Sequence, residues 1–212
     1  MNIALLGAPG SGKGTQAEYL AEEFGLFYLQ TGKIARELAK KDSRIAEIVN
    51  SGELIPEKEM TGHVLNFVRE NKPDMQNILF EGFPRFINQF EELENLLSVK
   101  GAKIDVVISL DISKEKAVGR LSTRRICSVC GEVYNLITNP PPSTKTCKCG
   151  GKLVQRRDDT REVIETRFEA YYKNTEKLIN YLAEKGRLVR INGEQSIKEV
   201  QKSIKEALEK LQ

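Results

Sequence analysis

Asn2-Ile3-Ala4-Leu5-Leu6 runs straight into Gly7-Ala8-Pro9-Gly10-Ser11-Gly12-Lys13-Gly14-Thr15, and the reading of this stretch decides the fold. An apolar run of strand length feeds a loop with four glycines and one lysine. Behind it Ala17, Leu20, Ala21 and Phe24 recur at helical spacing. Strand, glycine loop and helix in this order make a cradle for a phosphate chain. Glycines let backbone N–H groups converge on phosphate oxygens, the lysine adds a mobile positive charge, and the helix N-terminus adds its dipole. A turn that merely joined strand to helix would require neither Lys13 nor this glycine spacing.

The residue after Lys13 is Gly14, so the first hydroxyl arrives one position late, at Thr15. A hydroxyl directly after the lysine is the usual magnesium ligand of GTPases and motor ATPases. Its displacement points away from a switch or motor and toward a small phosphotransferase.

Outward from the loop, apolar runs of strand length recur at 26–29, 78–80, 106–110 and 188–191, separated by helical patterns. That alternation predicts an α/β fold with a parallel sheet and crossover helices. The last helix is marked by a capping box, Ser196 with Glu199, and by one apolar stripe of Ile197, Val200, Ile204, Leu208 and Leu211. Residues 30–60 read as short helices with polar breaks, of which Ser51-Gly52 is the clearest.

The chain's 212 residues suffice for one good core with small insertions. A net charge of +3 with both signs interspersed is too mild for a dedicated nucleic-acid binder. No apolar run reaches membrane-spanning length. The first apolar residues lead into the phosphate loop and have no basic segment ahead of them, so they read as a core strand rather than a secretory leader. A cytosolic, reducing setting is therefore expected.

All four cysteines fall within 126–159, as Cys127-x-x-Cys130 and Cys147-x-Cys149. Glycine follows each pair (Gly131; Gly150-Gly151), which suits the tight backbone that turns two thiolates toward one ion. Four thiolates make a closed tetrahedral zinc site, and about thirty residues cannot build a sufficient core without one. Paired spacing and a reducing compartment argue against disulfides. With neither histidine nor an open ligand position, the expected metal is structural.

Charged residues outside the loop fall in suggestive places. Glu81-Gly82-Phe83-Pro84-Arg85 follows the third strand, Arg120, Arg124 and Arg125 precede the cysteine insert, Arg156-Arg157-Asp158-Asp159 leaves it, and Arg167 lies on the next helix. Phosphoryl transfer between two anions needs in-line positioning and positive charge more than acid–base chemistry. Arginine's planar fork supplies that charge. His63, among Val64, Leu65 and Phe67, reads as structural or surface. Asp111 reads equally as a metal-orienting carboxylate or as the turn into the next helix.

The loop, Thr31-Gly32 with Arg36, Gly82-Phe83-Pro84-Arg85 with Gln89, Arg120 with Arg124, Arg156 to Asp159, and Arg167 together resemble the adenylate kinase family in its long bacterial form, whose lid carries zinc. The resemblance runs nearly the whole chain. It implies a P-loop nucleoside-monophosphate-kinase fold: a central five-stranded parallel sheet with flanking helices in a core of 1–29, 60–125 and 160–212. A nucleoside-monophosphate segment is expected at 30–59 and a zinc-ribbon lid at 126–159. The implied reaction is ATP + AMP to two ADP, with Mg²⁺, in a cytoplasmic monomer that binds neither nucleic acid nor membrane.

By the same resemblance, Gly10, Ser11, Gly12, Lys13, Gly14 and Thr15 hold the ATP phosphates. Arg120, Arg124, Val133, Tyr134 and Gln195 complete the ATP site. Thr31, Arg36, Glu53, Leu54, Ile55, Gly82, Phe83, Pro84, Arg85, Gln89, Arg156 and Arg167 form the AMP site. Catalysis is assigned to Lys13, Arg85, Arg124, Arg156, Arg167, Asp158 and Asp159. Zinc is assigned to Cys127, Cys130, Cys147 and Cys149, and a magnesium-water contact to Glu81. The chain departs from the family pattern at Glu81 and Lys33, where aspartate is usual, and at the short CxC arm. A UMP/CMP kinase on the same scaffold is disfavoured by the long insert and by Gln89. An ATP-dependent zinc-ribbon nucleic-acid module is disfavoured because Tyr134 is the insert's one aromatic for base stacking.

Overall fold

The computed structural model describes residues 1–143 and 145–210. Strand β1 (Ile3–Gly7) is buried along its whole length, as a strand covered on both faces must be. Its side chains alternate between two cores. Ile3 and Leu5 pack under helices α1 (Lys13–Phe24) and α9 (Ile197–Glu209), beside Leu20, Ile204 and Leu208. Ala4 and Leu6 face the opposite core with Val64 of α4 (Glu57–Asn71), Leu93 of α5 (Ile87–Ser98) and Leu178 of α8 (Glu176–Glu184).

The sheet has five parallel strands in the order β2-β3-β1-β4-β8, with β2 at Phe27–Gln30, β3 at Ile78–Glu81, β4 at Val106–Asp111 and β8 at Leu188–Asn192. This is the architecture expected from the alternating pattern. Each strand ends one residue later than expected, and two also start one residue later for local reasons. Leu26 is taken by the stop of α1, where Gly25 is left-handed and the Leu26 N–H returns to the Ala21 carbonyl, so β2 begins at Phe27. Asn2 stays outside β1. Its buried amide donates to the carbonyls of Met75 and Lys103 and accepts the Ile78 N–H, stitching three strand entrances together.

Between β2 and β3 lie α2 (Thr31–Ala39), α3 (Ser43–Ser51, capped by Asp42) and α4, matching the broken-helix reading of 30–60. Helix α6 (Lys114–Ser122) follows β4. The cysteine insert is a three-stranded antiparallel sheet of β5 (Arg124–Cys127), β6 (Val133–Asn135) and β7 (Leu153–Val154), ordered β6-β5-β7. A 3₁₀ turn (Arg157–Asp159) returns the chain to α7 (Arg161–Ala170), joined to α8 through a π-helical turn at Tyr171–Thr175. The capping box of α9 forms as read, and its stripe is buried at Val200, Ile204 and Leu208. Leu211, the last residue of that expected stripe, lies outside the described residues.

Candidate active site

The loops after β1 and β3 open at the same edge of the sheet, where ligands of open α/β folds collect. There the chain forms a cleft of about 610 Å³. The phosphate loop is its floor. Gly10 is left-handed (φ 81), and a Cβ there would lie 2.7 Å from the Ala117 carbonyl, so no larger residue fits this bend. Lys13 opens α1, and its ammonium donates back to the carbonyls of Gly7 (2.7 Å) and Ala8 (2.8 Å). Burial pushes the Lys13 pKa down to about 7. Glu81 pulls it back up, while Arg85, Arg167 and Arg124 add to the depression. A buried amine already crowded by cations is poised to gain from a polyanion.

Three arginines from the lid boundary converge on the same space, and two carboxylates hold them. Arg124 makes a bidentate pair with Asp159 at 2.6 and 2.8 Å, and Arg156 makes one with Asp158. Arg167 reaches both, at 3.2 Å from Asp158 Oδ2 and 3.2 Å from Asp159 Oδ1. Burial lowers the Arg167 pKa to about 10, although the two aspartates oppose this. Burial tends to raise the Asp158 pKa, but Arg156 and Arg167 outweigh it and hold that carboxyl below the usual range. Arg85 is held from the other side: its Nε donates to the Gly82 carbonyl, and its backbone N–H to Gln89 Oε1.

The cleft wall contains the residues read from the sequence as nucleotide contacts, from the loop through Thr31 and Arg36, 53–55, 82–85 and Gln89, to Arg120, Val133 and Gln195. Two are placed differently from their expected use. Asp159 stands behind the wall, 2 % exposed, and acts on Arg124 and Arg167 rather than on the cleft. Tyr134 borders the cleft, but its hydroxyl lies 3.3 Å from Cys147 Sγ and its ring belongs to the lid core. Asp111 is absent from the wall. Its carboxylate takes bonds from Ser109 and Arg190 at the end of β4.

Other cleft residues escape the sequence reading. Gln16 is buried and donates to the Ile197 carbonyl, tying the loop helix to the start of α9. Its only signal was adjacency to Thr15. Gly193 is another: its carbonyl accepts from Arg120 across 73 residues, a contact no local pattern announces. Tyr171 and Thr175 reach the wall from the π-helical turn.

The four cysteine sulfurs lie within 4.8 Å of one another, with nearest separations of 3.4 to 3.6 Å. A ZnS₄ tetrahedron with bonds of about 2.3 Å has S–S edges of about 3.8 Å, so this soft donor set fits zinc. Gly151 packs so tightly that a Cβ there would land on Cys127 Sγ. The backbone N–H groups of Cys130 and Val129 point at that sulfur, and the former is the main reason its pKa falls to about 6. For a hard cation shared with phosphates, the cleft offers the Glu81 carboxylate and the Thr15 hydroxyl.

A sequence model described as Adenylate kinase matches residues 5–187. Curated adenylate kinases align along nearly the whole chain. That of Bacillus velezensis is 41% identical over 214 residues, covering 98% of each protein. That of Archaeoglobus fulgidus is 40% identical over 217 residues, covering 100% of this chain and 99% of its own. That of Bacillus subtilis is 39% identical over 214 residues, covering 98% of each.

Proposed function

Because the chain belongs to the adenylate kinase family, and its reaction is therefore the reversible transfer of the terminal phosphoryl group of ATP to AMP, we propose how its own residues perform that reaction. The ATP phosphates lie on the backbone N–H groups of residues 10–15, with Lys13 following the transferred group. Its base and ribose lie against Arg120, Val133, the Tyr134 edge and the backbone at Gln195. AMP sits across the cleft, its base near Gln89 and residues 53–55 and its phosphate gripped by Arg36, Arg85, Arg156 and Arg167.

An AMP phosphate oxygen attacks the γ-phosphorus in line as the bond to the β–γ bridging oxygen breaks, leaving ADP on each side. The transition state is loose, so the protein's task is alignment and charge. Lys13, Arg85, Arg124, Arg156 and Arg167 supply the charge, while Asp158 and Asp159 hold three of the arginines in place. Glu81, on the cleft wall, would orient the water of magnesium bound with ATP, which would supply positive charge to the phosphate oxygens. Cys127, Cys130, Cys147 and Cys149 would hold zinc, which would cross-link the lid. Residues 126–159 and 30–59 close over the nucleotides and exclude water, a motion for which adenylate kinases are a familiar case. We assign the protein to the cytoplasm as a monomer; no described helix is long and apolar enough to cross a membrane.

The observation that carries this reading is the convergence of one lysine and six arginines on a single cleft beside a glycine cradle. Coupled assays with AMP, CMP, UMP and GMP as acceptors test it. AMP should be preferred, and a pyrimidine preference would move the chain to the UMP/CMP branch. A mimic joining two adenosines through five phosphates should bind tightly in calorimetry. Salt-sensitive RNA or DNA binding without nucleotide turnover would refute the whole assignment.

A further inference from the structure

Glu81 ends β3 beside the loop lysine, on a glutamate arm that needs a restraint to present its carboxylate in one place. The sheet supplies one. In the β2–β3 register Gln30 pairs with Glu81, and Tyr28 lies two residues back on the same face. Glu81 Oε2 accepts the Tyr28 hydroxyl at 3.3 Å, and the phenol oxygen accepts Gln30 Nε2 at 3.0 Å. The other end of that amide, Oε1, lies 3.5 Å from an Arg36 guanidinium nitrogen.

The direction of this chain is dictated by which groups only donate. Guanidinium has no acceptor, so the amide oxygen must face Arg36 and the amide N–H the phenol. The phenol proton is then directed to the carboxylate, which when ionised only accepts. Burial, reinforced by Glu81, raises the phenol's pKa, so it remains a donor. Arg36, Gln30 and Glu81 line the cleft whereas Tyr28 does not, so the phenol acts through Glu81.

We propose that Tyr28 and Gln30 are positioning residues that hold the Glu81 carboxylate toward the water of nucleotide-bound magnesium and link it to Arg36 on the acceptor-phosphate side. The proposal rests on the assignment of Glu81 to magnesium. Occupancy of one substrate site then bears on the metal geometry of the other: when Arg36 turns to an incoming phosphate, the amide oxygen loses its partner and the chain is free to readjust.

The test compares Tyr28→Phe in the parent with the same change in a Glu81→Asp background, whose shorter arm falls away from the phenol. Two quantities are read: the Mg²⁺ concentration for half-maximal velocity, and the Mg²⁺-dependent gain in affinity for the five-phosphate bisubstrate mimic by calorimetry. In the parent, Tyr28→Phe should raise the first and cut the second by about tenfold. In Glu81→Asp it should add less than about twofold. Thermal midpoint and metal-free affinity should stay unchanged. Gln30→Leu should reproduce the parental effect and carries the test should the phenylalanine variant fold poorly. No shift in the parent, or an equal shift in both backgrounds, overturns the link. Should Glu81→Gln leave the Mg²⁺ dependence intact, the assignment of Glu81 to magnesium fails instead.

Discussion

The five-stranded sheet is covered by helices on both faces, with Ile3, Leu5, Phe80 and Leu93 fully buried, whereas among the described residues the lid's core is Tyr134 and Leu153 against two of its cysteines. The first has two apolar cores and needs nothing else to stand. The second has a four-residue core, two of whose members are thiols that gather around a point suited to zinc. The contrast teaches that one chain can carry two stabilities. On the proposed reading, a lid held by coordination would open without loosening a body held by burial.

The largest effect that would break this comparison is metal removal. Zinc binding contributes on the order of 10–16 kcal/mol to small thiolate modules. Chelation, or Cys130→Ser, should therefore release zinc and expose 126–159 to protease while the body's unfolding midpoint barely moves. A lid that stays protected without metal would erase the distinction. Phe80→Ala is the converse. Deleting a fully buried ring at the sheet centre should cost about 3–5 kcal/mol in denaturant unfolding and leave zinc content intact.

Lys13→Ala separates chemistry from both stabilities. Turnover should fall about 10²–10³-fold, because positive charge at the moving phosphoryl is lost, with no drop in thermal midpoint and no zinc loss. Turnover within tenfold of the parent would remove the loop from the mechanism.

The smallest effect is a proton. Burial holds the Lys13 pKa near 7, and a bound polyphosphate should raise that value by adding negative charge. Affinity for the bisubstrate mimic should thus be fullest below about pH 7 and decline as pH rises toward the bound value. Calorimetry at pH 8, in buffers of different ionisation heat, should find uptake approaching one proton. Arginines do not titrate there, so the uptake reports on the body's lysine alone. Binding with no uptake at pH 8 would mean that the ammonium is already charged before the ligand arrives.

The sequence already displayed what depends on local order. Strand, glycine loop and Lys13 follow one another, and the two cysteine pairs sit on turns whose glycines show in the sequence: Gly131 and Gly150 take left-handed backbone, and Gly151 leaves room for the Cys127 sulfur. What it hid depends on distant chain segments meeting. Asn2 serves three strand entrances at once, Gln16 finds Ile197, and Tyr28 finds Glu81 across a sheet register no spacing encodes. The Arg-Arg-Asp-Asp run announced charge, but the pairing of Arg124 with Asp159 across 35 residues is a tertiary choice. Tyr134 shows the same limit: an aromatic beside a cleft can belong to either side of the wall, and packing under Cys147 decides it.

The aspartates that grip Arg124, Arg156 and Arg167 carry a further meaning. An empty pocket with its cations left bare would soak up any small anion in the cell. Here the guanidinium groups come with built-in counterions, so a newcomer must outcompete two anchored carboxylates. A lone inorganic phosphate is a weak contender, while a nucleotide pair bridged by several phosphates is a strong one. Release of these three arginines therefore favours a highly charged ligand, and free phosphate should compete only feebly with ATP.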